Sequence, residues 1–127
     1  VSLRTSVGRN NETNQGYVFS EFINTFRVNN WIAFNVSPKY FFSGIESFGG
    51  IGFSSYINLF DNLMLIPEIN TSIKNDSYLN STLALRYSFS PEKSLDFYCS
   101  NAVGVQEIGQ FLKDKEYRLG IKLNLLL

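Results

Sequence analysis

The stretch that decides the fold is the closing one, residues 116–127, which reads E-Y-R-L-G-I-K-L-N-L-L-L. One parity of this stretch carries only apolar or aromatic residues, namely Tyr117, Leu119, Ile121, Leu123, Leu125 and Leu127. The other parity carries Glu116, Arg118, Gly120, Lys122 and Asn124. Because successive side chains of a β-strand point to opposite faces, the pattern predicts a strand with one apolar and one polar face. One strand cannot bury such a face alone, so the rest of the chain is expected to continue the sheet.

The same alternation of apolar and polar residues recurs along the rest of the chain, between clusters of turn-forming residues. The predicted strands cover residues 1–7, 17–28, 31–37, 40–48, 51–60, 63–73, 79–89, 95–100 and 116–127. The predicted turns and loops cover residues 8–16, 29–30, 37–39, 49–50, 61–62, 74–77, 90–93 and 102–115. Pro67 lies inside one of these strands, where its missing N–H predicts a bulge or a late strand start.

These segments predict an all-β fold, an antiparallel meander of about eight to nine strands, because most turns are too short for a crossover. Residues 1–127 are expected to form one β-barrel domain, a closed or partial transmembrane barrel, either whole or as the C-terminal part of a larger barrel. Residues 1–16 are expected to hold a short strand followed by a polar loop. In 102–115, apolar residues recur at helical spacing, and a short helical turn and an ordinary loop both stay open.

Alternation by itself does not separate a membrane barrel from a soluble one, because the two differ in whether the apolar face turns outward or inward. Several segments reach the roughly 9 to 11 residues that a tilted membrane strand needs. Aromatic residues lie near strand ends, and the longest connection, 102–115, precedes the last strand. Two features oppose the membrane interpretation when nine strands are counted. The tight turns 29–30 and 49–50 then share a side with that long connection, and the long loop 8–16 shares the opposite side with short turns such as 61–62.

The last strand resembles the C-terminal insertion signal of bacterial outer-membrane β-barrels: a polar residue, a spacer, Gly, two spacers, and then large apolar residues at alternate positions. The matching positions are Arg118, Gly120, Leu123 and Leu125. That family usually ends on an aromatic residue, whereas this chain ends on Leu127. From about Asn35 onward, and especially in segments 61–70, 81–87 and 116–123, the chain also resembles uncharacterised predicted outer-membrane barrel proteins of cyanobacteria. The resemblance implies a barrel fold and an outer-membrane location, and it implies no chemistry.

The composition argues against several classes of site. The 127 residues include no His, which removes the usual general base and the usual metal ligand. A single cysteine, Cys99, excludes an internal disulfide, and a formal net charge of zero argues against nucleic-acid binding. No run approaches the roughly 18 apolar residues of a transmembrane helix. The chain begins at Val1 with no visible signal peptide, so either a signal has been removed or the chain is a piece of a longer protein.

The candidate functional residues are the charged ones on the polar parity of the later strands. They are Glu68, Arg86, Asp96, Arg118 and Lys122. In a barrel they would face the interior and form a lumenal charge network, because ionisable groups away from water must be paired. In a soluble sheet the same residues would form a solvated face and be dispensable. No catalytic residue is assigned, since any two of the 11 acidic residues could be offered as an acid/base pair.

The expected function is therefore non-enzymatic, with no metal and no cofactor. It is an outer-membrane β-barrel that is either structural, surface-binding, or a porin-like channel for passive diffusion of small solutes. The alternative is a soluble lipocalin-like barrel that binds a small apolar ligand. The expected partners are membrane lipid and the barrel-assembly machinery, without nucleic acid, and the solute or ligand is not identified.

Overall fold

The computed structural model describes residues 1–10, 15–73, 78–102 and 113–125. In this part of the chain the regular structure consists of eight β-strands, without a helix. They are β1 (Ser2–Asn10), β2 (Gln15–Arg27), β3 (Ile32–Ser43), β4 (Ser47–Phe60), β5 (Leu63–Ile73), β6 (Tyr78–Ser90), β7 (Lys93–Ala102) and β8 (Lys113–Leu125). Among the residues described, no helical segment could cross a membrane.

The strands follow one another in a single antiparallel sheet, in the order β1 to β8. The sheet curls into an open half-barrel, and β1 and β8 form its two edges in the described part of the chain. The predicted all-β antiparallel meander, closed or partial as a barrel, is therefore confirmed. Its count is eight strands, because two predicted segments are one strand.

Two prolines lie inside strands that run straight through them. The turn predicted at 37–39 is wrong, because β3 continues unbroken from Ile32 to Ser43. The ladder between β2 and β3 lapses beside Pro38, which has no N–H to donate, while its pairing with β4 continues. The bulge or late start predicted at Pro67 is also wrong. There the ladder to β4 lapses and resumes in the same register, and the ladder to β6 is continuous.

The glycine pair at 49–50 does not form the predicted turn. Both glycines lie inside β4, and the chain turns earlier, at 44–46, where Ser43 N–H donates to the Glu46 carbonyl at 2.8 Å. Gly50 lies opposite Lys39 in the β3–β4 ladder, and that ladder continues through both glycines. Pairing with β3 and β5 keeps both glycines inside the strand, which a local turn rule does not consider.

Other predicted turns are confirmed. In the turn around 29–30, the Asn29 side-chain oxygen accepts hydrogen bonds from the N–H groups of Trp31 and Ile32, at 2.8 and 2.9 Å. Two-residue turns occur at 61–62 and 91–92. Part of the predicted polar loop (11–14), the loop 74–77 and most of 102–115 lie outside the described residues, and so does the alternative of a helical turn there.

The corrected strand count changes which connections share an end of the sheet. One end carries 28–31, 61–62 and 91–92, and the other carries 11–14, 44–46, 74–77 and 103–112. The polar loop after β1 now lies at the same end as the long connection before β8. The turn at 29–30 now joins the short turns. The polar loop therefore no longer opposes a membrane barrel, whereas the tight turn at 44–46 still shares an end with the long connection before β8.

The two faces of the sheet differ in polarity, and curling buries the polar one. On the concave face, Glu21, Lys39, Asn70 and Asp96 are each at most 6% exposed. On the convex face, large apolar side chains such as Ile121 are more than half exposed. Along β2 to β7 the convex positions carry one charged residue, Lys93, at the first position of β7.

A small apolar cluster lies at one end of the concave face. Phe19, Phe41 and Phe48 come from three adjacent strands and are buried, with Tyr17 packed beside them. The rings of Phe41 and Phe48 have their centroids 4.9 Å apart, and those of Tyr17 and Phe41 lie 5.7 Å apart. This cluster lies near the end that carries the 44–46 turn, so most of the concave face remains polar.

Candidate functional site: the polar concave face

The first concentration of buried charge centres on Lys39, and Glu21, Lys39, Glu68 and Asn70 are called the Lys39 cluster here. The Lys39 Nζ donates to the Asn70 Oδ1 at 2.6 Å. It also lies 3.3 Å from the Glu21 Oε1 and 3.8 Å from the Glu68 Oε1. The Asn70 side chain in turn donates to Glu68 at 2.6 Å. The ammonium is thus held by one amide and two carboxylates, which satisfies a charge with only 2% of its side chain exposed.

The Lys39 cluster spans four strands because β4 contributes only a glycine at the crossing. Lys39 on β3 reaches Asn70 on β5 across Gly52, which pairs with Asn70 in the β4–β5 ladder. A Cβ placed on Gly52 would lie 2.5 Å from the Asn70 Oδ1 and 2.9 Å from the Lys39 Cε. The hollow beside it has a volume of about 100 Å³ and is lined by polar side chains that include Glu21, Lys39 and Asn70.

The second concentration of charge centres on Asp96, and Arg86, Asp96, Lys122 and Asn124 are called the Asp96 cluster here. The Arg86 guanidinium donates two hydrogen bonds to the Asp96 carboxylate, at 2.7 and 2.8 Å. This two-pronged geometry is the strongest that an arginine and a carboxylate make. The Asn124 side chain donates a third bond to the same carboxylate at 3.0 Å, and Lys122 lies opposite Asp96 in the β7–β8 register.

Hydroxyl and amide side chains connect across the strands between these clusters. The Thr25 hydroxyl donates to the Asn35 side chain at 2.7 Å, and Asn35 donates to the Ser54 hydroxyl at 3.1 Å. Further along, the Thr82 and Ser100 hydroxyls are hydrogen-bonded to each other. These polar side chains of the concave face are therefore hydrogen-bonded to partners on adjacent strands, as buried polar groups must be.

All five residues predicted for the lumenal network lie on the concave face, but the structure does not bring them into one group. Arg86, Asp96 and Lys122 lie together in the Asp96 cluster. Glu68 belongs to the Lys39 cluster and pairs with Thr82, four residues along β6 from Arg86, a separation of about 13 Å. Arg118 lies opposite Ser100 on β7.

The residues that resemble an insertion signal divide between the two faces. Arg118 and Gly120 lie on the concave face, opposite Ser100 and Tyr98 respectively. Leu123 and Leu125 lie on the convex face and are 58% and 55% exposed. Cys99 also lies on the convex face, half-buried, in a shallow apolar groove of about 650 Å³ that runs over β5 to β8.

Three members of the Lys39 cluster were missed in the sequence. Lys39 and Glu21 were not proposed, because residues 37–39 were interpreted as a turn and β2 alternates poorly. Asn70 was not proposed, because only charged residues of the polar parity were singled out. A signal was available in β3, where Asn35, Ser37 and Lys39 alternate with apolar residues straight through Pro38. Continuing the parity across the proline would have placed Lys39 on the polar face.

The arrangement supplies charges of both signs and hydrogen-bonding groups to the concave space. Glu68 and Asp96 belong to different clusters, so they do not form the close carboxylate pair of an acid/base site. In the described ranges, no group of three His, Cys, Asp or Glu side chains is placed to hold a metal ion. Comparison of the chain with protein-family models, with curated proteins and with solved structures finds no match.

Proposed function

We propose that this chain forms the wall of a non-enzymatic outer-membrane β-barrel, with its polar concave face lining a passage for small solutes. In this proposal the convex face contacts lipid, and the barrel-assembly machinery inserts the chain. The concave face contributes positioned charges and amides rather than reacting groups.

The observation that carries the proposal is the inverted polarity of the sheet. A soluble sheet turns its apolar face toward a core and its polar face toward water. Here the buried side chains include Glu21, Lys39, Asn70 and Asp96, while Phe26, Leu83 and Ile121 are more than half exposed. Water would penalise that exposed apolar surface, whereas a bilayer would stabilise it. The same inversion favours the membrane barrel over the soluble lipocalin-like barrel.

The dimensions of the strands also support the proposal. The shortest strand, β1, has 9 residues and the longest, β4, has 14. About 9 to 11 tilted residues cross the hydrocarbon of a bilayer, so each strand is long enough. Exposed aromatic residues lie where strands end, including Trp31 before β3 and Phe60 at the end of β4. Aromatic residues at that height are typical of the membrane–water boundary.

Curvature favours a passage over a filled interior. Eight strands curl through about half of a barrel, which corresponds to about sixteen strands around a full circumference. Barrels of about that size leave an aqueous channel, whereas eight-stranded barrels are filled by their own side chains. The two-residue turns 61–62 and 91–92 lie at one end and the ten-residue connection 103–112 lies at the other, which matches the asymmetry of outer-membrane barrels, in which the short turns face the periplasm.

The test is whether the purified chain needs a membrane mimic to fold. Its sheet signal by circular dichroism is compared in detergent micelles and in plain buffer, together with the gel mobility of boiled and unboiled samples. We expect folding only in micelles and a heat-dependent mobility shift, followed by conductance steps in planar bilayers. A monodisperse folded monomer in plain buffer would overturn the proposal and direct attention to a bound apolar ligand.

A further inference from the structure

Each of the two edge strands of the half-barrel has one side without a neighbouring strand in the described part of the chain. In the described part of the chain, β1 pairs only with β2, and β8 pairs only with β7. The hydrocarbon of a bilayer offers no water to an edge strand, so each of its unpaired N–H and C=O groups would be costly. If the proposed function holds, both edges must pair with further strands.

The β1 edge presents a cation whose natural partner is already engaged. Arg4 lies on the concave face opposite Glu21 in the β1–β2 register. The Glu21 carboxylate is buried and lies 3.3 Å from the Lys39 Nζ, on the side away from β1. Within the described residues no ion pair of Arg4 occurs, and the carboxylate opposite it, Glu21, is paired with Lys39.

The β8 edge repeats this arrangement with different residues. Lys122 lies on the concave face opposite Asp96 in the β7–β8 register. The Asp96 carboxylate accepts two hydrogen bonds from Arg86, one strand further in, and one from Asn124. The nearest acidic position on this face of β8 is Glu116, six residues away and therefore about 20 Å from Lys122.

At each edge, three neighbouring strands therefore carry a cation, a carboxylate and a second cation in turn. From the β1 edge these are Arg4, Glu21 and Lys39, and from the β8 edge they are Lys122, Asp96 and Arg86. Gly120 is the one concave-face position of β8 between Arg118 and Lys122, so pairing β1 with β8 along this stretch would set Arg4 near one or the other of these cations. A second copy of the chain, joined β8 to β1, would create the same contact. Like charges directly opposite on neighbouring strands destabilise a sheet.

We propose that the half-barrel is completed by other strands that place Asp or Glu at concave-face positions beside Arg4 and Lys122. These strands would alternate the carboxylates and other polar residues with apolar residues toward the lipid. The partner is therefore defined by its chemistry as an acidic-lined membrane strand. It is not the opposite edge of this sheet and not a second copy of it. The inference rests on the proposed function.

The test uses the whole chain folded in detergent micelles and three synthetic strands of 11 residues. The peptides share one alternating sequence and differ at two polar-face positions, which carry Glu, Gln or Lys. Binding is measured by the fluorescence anisotropy of a dye on each peptide. We expect the Glu peptide to bind at least about fivefold more tightly than the Gln peptide, and the Lys peptide to bind most weakly. The double variant Arg4→Glu with Lys122→Glu should reverse that order.

Equal binding of the three peptides, binding of none, or an unchanged order in the double variant would each overturn the inference. Closure of the sheet on itself is tested separately in a Cys99→Ser background. A disulfide between Thr5→Cys and Leu119→Cys, Ile121→Cys or Leu123→Cys would also overturn it, as would a stable homodimer by native mass spectrometry. If the chain folds in micelles but binds the Glu, Gln and Lys peptides with equal affinity, this inference is contradicted and the proposed function is not. A chain that folds in plain buffer contradicts the proposed function.

Discussion

At the scale of single residues, Gly52 determines whether the Lys39 cluster can form. The Lys39 and Asn70 side chains meet across it, at the one position of β4 between them, and a larger residue would occupy the line between their atoms. The atoms that a new Cβ would meet are the ends of flexible side chains, so the sheet could accommodate the change. It would do so by separating the Lys39 Nζ from the Asn70 Oδ1.

We therefore expect Gly52→Ala to lower the free energy of unfolding by about 1 to 3 kcal/mol, the range for overpacking and for losing a buried charge-assisted hydrogen bond. Urea unfolding in micelles, followed by circular dichroism, measures the effect. Gly49→Ala is the matched control on the same strand, since its Cβ would meet only the Lys39 carbonyl oxygen at 3.6 Å, an ordinary contact. Equal effects of the two substitutions would contradict this explanation.

The separation of the charged residues into two clusters predicts how substitutions combine. Glu68→Ala and Arg86→Ala remove charges from different clusters about 13 Å apart, so their effects on unfolding should add within about 0.5 kcal/mol. Arg86→Ala and Asp96→Ala act on one bidentate pair and should couple by about 0.5 to 3 kcal/mol. Coupling between Glu68 and Arg86 as large as that of the bidentate pair would mean that the concave face carries one network.

At the scale of elements, β8 is attached to the sheet along one side, and two contacts from β7 hold it on the concave face. The ring of Tyr98 covers Gly120 directly across the ladder, at the place where a Cβ on Gly120 would lie. The same arrangement covers Gly8 on β1 with the ring of Tyr17. Further along, the Asp96 carboxylate accepts hydrogen bonds from the Asn124 side chain and from Arg86, and so connects β8 to β6.

Removing the Asp96 carboxylate should loosen β8 more than the centre of the sheet. Asp96→Ala leaves the partly buried Arg86 without its carboxylate partner, which costs about 1 to 3 kcal/mol. Amide hydrogen exchange in micelles should therefore accelerate in β8, while β4 and β5 change little. Glu92→Ala removes the same charge from the exposed turn between β6 and β7 and should leave the exchange of β8 unaltered. Uniform acceleration across the sheet would contradict the local role of Asp96.

At the scale of the whole molecule, the free energy of the chain depends on which solvent meets its convex face. The exposed apolar side chains occupy this face of every strand, with polar positions scattered among them, so no single residue decides the outcome. A protein placed in water with this surface would be expected to associate, because contiguous apolar patches rarely remain exposed. In a bilayer the same surface is the favourable one.

Ile121→Lys and Ile45→Lys form a matched pair for this question, because both isoleucines are 67% exposed. Ile121 lies on the convex face inside β8, and Ile45 lies in the 44–46 turn. In lipid vesicles we expect Ile121→Lys to cost about 2 to 4 kcal/mol of folding free energy and Ile45→Lys to cost almost none. Denaturant unfolding in vesicles gives both values. If neither substitution changed the folding free energy, water rather than lipid would contact the convex face of β8.

The sequence by itself determined the class of fold and the division of most later strands into two faces. Alternation is a local property, since each side chain points opposite to its neighbours whatever lies beside the strand. That is why β6 and β8 were predicted closely and why Glu68, Arg86, Asp96, Arg118 and Lys122 were assigned to one face. Residues 37–39 and 49–50 were misassigned for a different reason. Proline and glycine usually mark turns, and only the pairing with neighbouring strands shows that they lie inside strands here.

The tertiary structure alone decided which face is inside and which charges meet. Soluble and membrane sheets show the same alternation, so alternation does not say which face is inside. The direction in which the sheet curls decides this, because it buries the polar face. Register then decided that Lys39 meets Asn70 across Gly52 and that Arg86 meets Asp96, while Glu68 and Arg86 stay apart. These contacts join residues 10 to 31 positions apart, so they depend on strand pairing and cannot be read from spacing along the chain.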